Sequence, residues 1–350
     1  MTAFDNKDSE ILVLRRRARH SDNDTLRLTH IDTESLGVPR TTPAMAEMER
    51  RMLDAVNDHR NEVRYECGGM DPGEFFRWFC RQHPEVFWLS NRIGIRTAPG
   101  QTYITLMYTW IAGECRRMQA QTDMELGRIV AGIPRGLRPH ERLRRLYDWF
   151  CANIRYNHAH EGREANFNII GPLINRIGVC SGISRAFMLA CRRLRIPCGI
   201  VTGNTGLRQE STHCWNIVKL NGAAYHVDVT TGINAYESSS EVGYPLFCVP
   251  ESRLRRIRYI ELPAKQPESD EFSYRGLSMQ YFTDRRGLLV WLNVNLRPGH
   301  ALTVLDPGNE WRDKGTFAEA LRYTAAQLMC GRAVRMWNIG DDVAYIIKTV

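Results

Sequence analysis

Thr212-His213-Cys214-Trp215-Asn216-Ile217-Val218-Lys219-Leu220-Asn221-Gly222-Ala223-Ala224-Tyr225-His226-Val227-Asp228-Val229-Thr230 is the stretch whose reading decides the fold. Two strand-like runs flank Asn221-Gly222, and Asn-Gly between such runs is the strongest short-range hairpin signal. A two-residue loop pairs Leu220 with Ala223, which sets Ile217 opposite His226, Trp215 opposite Asp228 and His213 opposite Thr230. Directly opposed residues share a face, as do residues two apart along a strand. His213, Trp215, Asp228 and Thr230 are therefore expected to project together, with His213 and Asp228 as diagonal neighbours. Diagonal Cβ atoms lie roughly 7–8 Å apart or less, a gap that an imidazole and a carboxylate close with a hydrogen bond. An aspartate so placed fixes the imidazole tautomer and favours the imidazolium, which stabilises a nearby thiolate. His226 shares its face with Ile217 and is expected to pack differently.

Upstream, Gly178-Val179-Cys180-Ser181-Gly182 is a glycine-bounded turn that runs into a helix, because Ile183, Ala186, Phe187, Ala190, Cys191 and Leu194 fall on one face. Cys180 is thus predicted at a helix N-terminus. Backbone N–H groups without intrahelical partners and the helix dipole both favour thiolate there. The same N–H groups suit the oxyanion formed when a thiolate attacks a carbonyl, and Gly182 is expected to let a substrate backbone approach closely. A cysteine at a helix start is more often simply buried. What raises the catalytic reading is the His213–Asp228 pair downstream.

These residues resemble the transglutaminase-like superfamily, in particular its bacterial members, which share a papain-like core. The likeness is carried by Gly178-x-Cys180-x-Gly182-x-x-x-Ala186-Phe187, by His213-x-Trp215-Asn216 and by Tyr225-His226-Val227-Asp228-Val229-Thr230, in the family's order and spacing. The segments Tyr147-Asp148-Trp149 and Ile154-Arg155-Tyr156 look like the family's lead-in to the nucleophile, so the likeness spans about residues 137 to 235. It implies a Cys180 nucleophile, a His213 base and an orienting Asp228. The implied reaction is acyl transfer from an amide of a protein or peptide, through a thioester, to water or an amine. It also places Ser181, Gly182, Ile183 and Trp215 along the substrate cleft. Bacterial relatives often carry an acidic residue, an aromatic, a tyrosine and a tryptophan where this chain has Ser181, Ile183, Ile170 and Thr231, which bears on substrate class more than on the triad. That chemistry needs no metal or organic cofactor, and no loop here implies calcium. The alternative is a catalytically silent binding or scaffold protein that keeps the fold and holds a peptide in the cleft.

The expected fold class is α+β: a papain-like transglutaminase core with a helical N-terminal region and a small C-terminal α/β unit. Residues 1–44 are polar and aperiodic and are read as a disordered arm. A helical region follows at 45–135, with Met45, Met48, Met52, Ala55 and Val56 at helical spacing, a helix near Pro72–Gln82, a strand at Gln101–Met107 and a helix at Ile111–Ile133. The catalytic core is assigned to 136–245 and the C-terminal unit to 246–350. That last unit is expected to hold strands at Leu277–Phe282, Leu288–Val294 and Val343–Val350 and a helix at Phe317–Met329.

Composition narrows the function classes. No stretch of the 350 residues approaches the roughly 18 consecutive apolar residues of a membrane helix. No secretory leader is visible at Met1–Lys7, so the expected location is cytoplasmic, although unconventional export leaves no mark in a sequence. Ten cysteines scattered through a chain this long are read as reduced thiols. The formal charge of +8 sits in runs such as Arg142-Leu143-Arg144-Arg145 and Arg253-Leu254-Arg255-Arg256, read as solvated helix faces because no aromatic platform interleaves them. Neither a specific nucleic-acid partner nor a membrane is expected, and oligomeric state is not readable. His158-Ala159-His160 with Cys151 matches no closed zinc spacing.

Overall fold

A computed structural model describes residues 42–159, 164–207, 212–240, 242–261, 267–273, 282–298, 301–305, 307, 311–329, 334–339 and 344–349. The arm assigned to 1–44 lies almost wholly outside them. At its end Thr42 caps α1 (Pro43–Asn57), its side chain accepting from Met45 N, and Pro43 starts the helix with the one residue that has no N–H to satisfy. Met45, Met48, Met52, Ala55 and Val56 are all buried, as their spacing predicts.

The N-terminal region is less purely helical than expected. β1 (Glu62–Tyr65) pairs with β3 (Gln101–Tyr108), and β2 (Leu89–Ala98) pairs with the other edge of β3, making an antiparallel sheet; α2 (Pro72–Gln82) links β1 to β2, and α3 (Ala112–Ala131) follows β3. β1, four residues long, and β2 are both unexpected, and β2 is the longer. Arg92, Ile93 and Gly94 are all partly exposed, so it lacks the buried alternation that marks a strand in sequence.

The central layer holds the candidate site. α4 (Pro139–Asn153) leads through the short parallel pair β4 (Arg155–Tyr156) and β5 (Ile177–Gly178) to α5 (Cys180–Arg193). α5 packs on an antiparallel sheet ordered β6 (Cys198–Asn204), β7 (Thr212–Leu220), β8 (Ala223–Val227). The hairpin register is Leu220 to Ala223 and Ile217 to His226, and its turn has Asn221 at φ +48° and Gly222 at φ +82°. Two successive positive φ values are what a type I′ turn needs, and Asn-Gly supplies them at least strain.

β8 stops sooner than the hairpin register extended to Thr230 would have it. Val227 is its last residue; Asp228 caps α6 (Val229–Ser239) instead, its side chain accepting from Thr231 N and its own N–H donating to Leu246 O. His213 therefore has no strand partner at Thr230. The segment from Leu246 onward, expected to open the C-terminal unit, packs on this sheet. His226 and Val249 exchange backbone hydrogen bonds, α7 (Glu251–Leu254) follows, and Tyr259 to Glu261 lie against β6.

The distal part of the chain has its own apolar cluster, built on α8 (Arg285–Asn295), β9 (Ala301–Leu305), α9 (Phe317–Leu328), β10 (Val334–Ile339) and β11 (Ala344–Thr349), with sheet order β10-β11-β9. The strand expected at Leu288–Val294 is helical. Asp284 caps it by accepting from Gly287 N, and only Leu288 and Leu292, one turn apart, are fully buried. The strand expected at Leu277–Phe282 lies outside the described residues except for Phe282. The architecture is α+β.

Candidate active site

Cys180 is the first residue of α5, preceded by Val179 with extended φ/ψ as the cap. Its backbone N–H belongs to the helix's first turn, where no carbonyl of the helix can reach it. Val179 N donates to Asn166 O at 3.0 Å, so the chain at 164–168 is tied to the turn that presents the sulfur. The thiol is half-buried.

β7 runs beside α5 and alternates its side chains between two environments. Asn216 is on the α5 face, its Nδ2 donating to Ser184 O at 3.0 Å, and Cys214, two residues earlier, is on the same face beside Cys180. Ser184 Oγ, one turn along α5 from Cys180, donates to Cys214 O at 3.2 Å and fixes the register of helix on strand. The intervening residues His213 and Trp215 point to the other face, their rings stacked at 5.7 Å and 27°.

His213 Nε2 lies 2.9 Å from Asp228 Oδ2, and both side chains are buried. With Nε2 engaged by the carboxylate, Nδ1 is the ring nitrogen left for Cys180. Burial works against an imidazolium here, but Asp228 and then Cys180 favour it more, and the His213 pKa is raised to about 9. The Cys180 thiol is held well below its ordinary value. The hydrogen bond from Cys214 is the main cause; burial opposes it and His213 adds to it. Cys214 in turn stays protonated, chiefly because it donates to Cys180 and also because it is buried.

The carboxylate has more partners than the imidazole. Thr231 N donates to Asp228 Oδ1 at 3.1 Å, and Thr231 Oγ1 donates to Oδ2 at 2.8 Å. Arg258, only 4% exposed, donates from Nη1 to Oδ2 at 2.5 Å and from Nη2 to Thr231 Oγ1 at 3.0 Å. Burial pushes the Asp228 pKa up, but Arg258, His213 and the Thr231 N–H outweigh it and hold the carboxyl far below its usual range.

Comparison with known proteins gives one family match, over part of the chain. Residues 128–229 match the family model of the transglutaminase-like superfamily. This segment is similar to a transglutaminase-like core. No curated protein matches the sequence. Among solved structures, one described as a TGase shares 11% identity over 46% of this chain, with a TM-score of 0.28, and the match spans about half (48%) of that protein. A proposed cysteine protease from Cytophaga hutchinsonii shares 11% identity over 53% of this chain and 68% of its own, with a TM-score of 0.30.

Within the matched segment, three of the four residues expected to border the substrate are enclosed. A Cβ on Gly182 would meet Asn166 O at 2.4 Å and Asn168 O at 2.8 Å, so this glycine admits a neighbouring loop and leaves no room for a substrate backbone. Ile183 is wholly buried in the main apolar cluster. Trp215 is also buried, with Nε1 donating to His226 Nδ1 at 2.9 Å. Ser181 alone of the four reaches the surface, where its hydroxyl donates to Phe167 O at 3.3 Å. Of the histidines and cysteine weighed as metal ligands, Cys151 is buried and His158 pairs with Glu237 at 3.0 Å, while His160 lies outside the described residues.

Arg258, Cys214 and the part Thr231 takes in holding Asp228 are what the sequence did not reveal at the site. Thr231 had a readable signal, since Asp-x-x-Thr at a strand end is a helix-cap pattern. Arg258 lies past the end of the family match and had none.

Proposed function

We propose that the chain is a cysteine-dependent enzyme of amide bonds, working through a thioester acyl-enzyme on a protein or peptide substrate. One observation carries the reading: a thiol at a helix start, beside a buried imidazole whose Nε2 lies 2.9 Å from a buried carboxylate. In this reading the Cys180 thiolate attacks the amide carbonyl carbon, and the C–S bond forms as the carbonyl π electrons move onto oxygen. The Cys180 N–H at the head of α5 is placed for that oxyanion. His213 gives its proton to the departing amine as the C–N bond breaks, leaving the thioester. Water or a second amine then attacks, His213 takes its proton, and the C–S bond breaks to release the product. Asp228 holds the ring and stabilises its charge without accepting the proton. A reducing, cytoplasmic setting belongs to the reading, because it keeps Cys180 and Cys214 as thiols. Among the described residues no helix is long and apolar enough to cross a membrane.

Iodoacetamide labelling, read cysteine by cysteine by mass spectrometry on the folded chain, tests this. Cys180 is expected to be modified well below pH 8 and faster than the buried thiols, and H213A is expected to move its reactivity towards an ordinary thiol. A Cys180 no more reactive than Cys80, with no response to H213A, describes a chain that keeps the fold without the chemistry. Trapping the acyl-enzyme with an activated ester and offering it an amine then separates hydrolysis from transamidation.

A further inference from the structure

We infer that Arg258 is a positioning residue of this site, acting through Asp228 and Trp215 to hold the His213 ring in place and the Asp228 carboxyl ionised. The inference rests on the catalytic reading of Cys180, His213 and Asp228, and it adds a fourth group from outside the segment that matches the family.

The geometry goes beyond a structural ion pair. Arg258 Nη1 and His213 Nε2 meet the same oxygen, Asp228 Oδ2, although Oδ1 receives only the Thr231 N–H among the hydrogen bonds given above. Sharing one oxygen couples the guanidinium directly to the imidazole. The guanidinium also lies over the Trp215 ring, its carbon 5.3 Å from the centroid, and Trp215 stacks on His213. Arg258 therefore touches both groups that hold the His213 ring, the carboxylate at its nitrogen and the indole at its face. Thr231 completes the frame, its hydroxyl accepting from Arg258 and donating to Asp228.

The chain takes trouble to bring Arg258 there. α7 ends at Leu254, Arg258 N donates back to Leu254 O at 2.9 Å, and Asn204 N donates to Tyr259 O at 3.0 Å, so the backbone on either side is anchored. Burying a guanidinium is costly unless it is fully paired, and a well-packed apolar residue usually serves a fold as well.

Charge balance gives the role. Thiolate, imidazolium, carboxylate and guanidinium sum to zero, so the reactive ion pair forms inside the protein without net buried charge. Tyr147 and Cys151 of α4 and Tyr156 of β4 also face Asp228; burial keeps all three protonated, so they add no charge. His226 accepts from Trp215 Nε1, and its Nε2 lies 3.6 Å from Glu251. Because Arg258 touches Asp228 and reaches His213 only across it, it depresses the carboxyl's proton affinity more than the imidazole's. The shared proton stays on nitrogen, where a leaving amine can take it.

The test is the pH dependence of Cys180 alkylation by iodoacetamide in R258M, R258Q and R258K, on the full chain, with folding checked by near-UV circular dichroism. Removing a cation raises the proton affinity of every neighbouring group. In the neutral variants both inflections of the curve, from thiol and from imidazolium, are expected to move to higher pH. A rise of about half a unit in the first reads as roughly three-fold slower alkylation on its acid side. R258K, which keeps the charge, is expected to return both inflections towards wild type. A folded R258M or R258Q with wild-type inflections overturns the inference, and so does failure of both to fold, which would assign Arg258 to the fold alone. A wild-type Cys180 that is neither fast nor His213-dependent sinks the reading of the site instead.

Discussion

Trp215 Nε1 donates to His226 Nδ1 at 2.9 Å, and this bond inside the sheet fixes the indole on which the His213 ring is stacked. His226 accepts through Nδ1, so its proton is on Nε2, facing Glu251 Oε2 at 3.6 Å. H226F keeps a flat ring and removes the acceptor, leaving a buried indole N–H unsatisfied at a cost of about 1–3 kcal/mol. The expected result is a lower denaturant midpoint at unchanged slope, together with slower Cys180 alkylation. A midpoint equal to wild type would show that the bond does not hold Trp215.

Cys214 supplies the largest share of the depression of the Cys180 pKa. C214A removes that donor and is expected to shift the first inflection of the alkylation curve to higher pH. C214S restores a donor in nearly the same volume and is expected to fall between the two. Should C214A alkylate like wild type across the acid range, His213 and the helix terminus hold the thiolate by themselves.

The hairpin and the start of α5 were legible because each is written locally, in Asn221-Gly222 and in the apolar face that begins at Ile183. Asp228 was matched to His213 for a partly mistaken reason: the two do meet, but Asp228 arrives as a helix cap after the ladder has ended at Val227. Both geometries bring its side chain to the same place, so the pairing survived the wrong backbone. Arg258 follows an arginine-rich run read as a solvated face, and nothing within a few residues of it signals an ion pair 30 residues away. The resemblance sets Gly182, Ile183 and Trp215 at the cleft because they lie in or beside its motifs. In the fold Gly182 meets the loop at 166–168, Ile183 enters the core, and every residue of β7 from His213 to Val218 is buried. The apolar run Leu288-Leu289-Val290-Trp291-Leu292 fits a buried strand or a helix equally, and the capping Asp284 decides it.

Stability is expected to depend on pH through His83. Its Nε2 lies 2.8 Å from Glu49 and its Nδ1 2.9 Å from Glu85, in a pocket beside Phe79. Burial opposes its charge, but the two glutamates more than reverse that and raise its pKa to about 9. A raised folded-state pKa contributes stability that is fully present below the unfolded value of about 6.5 and is lost as pH rises through 9. Wild type is therefore expected to lose on the order of 3 kcal/mol from this site between those limits. His213, also raised to about 9, acts in the same window, but the depressed thiol of Cys180 acts there with the opposite sign, its contribution rising with pH towards the ordinary thiol value of 9, so the two largely offset. H83Q should flatten the decline in denaturant midpoint between pH 6.5 and pH 9. An H83Q curve parallel to wild type would remove His83 as a source.

Gly182 offers a test in which helix propensity and packing disagree in sign. Alanine is favoured over glycine inside a helix by about 1 kcal/mol, so propensity alone makes G182A stabilising. A Cβ there, however, would sit 2.4 Å from Asn166 O and 2.8 Å from Asn168 O, both backbone atoms that cannot swing aside. Asn166 O also accepts from Val179 N, so displacing it disturbs the turn that presents Cys180. Overpacking of this kind costs about 1–3 kcal/mol, which outweighs the propensity gain. G182A is expected to lower the denaturant midpoint and to slow Cys180 alkylation. Gly127 of α3 is the matched control, exposed and with nothing within 4 Å of its Cβ position, and G127A is expected to stabilise by about 0.5–1 kcal/mol. If both substitutions raise the midpoint, the loop at 166–168 yields freely and does not brace the nucleophile.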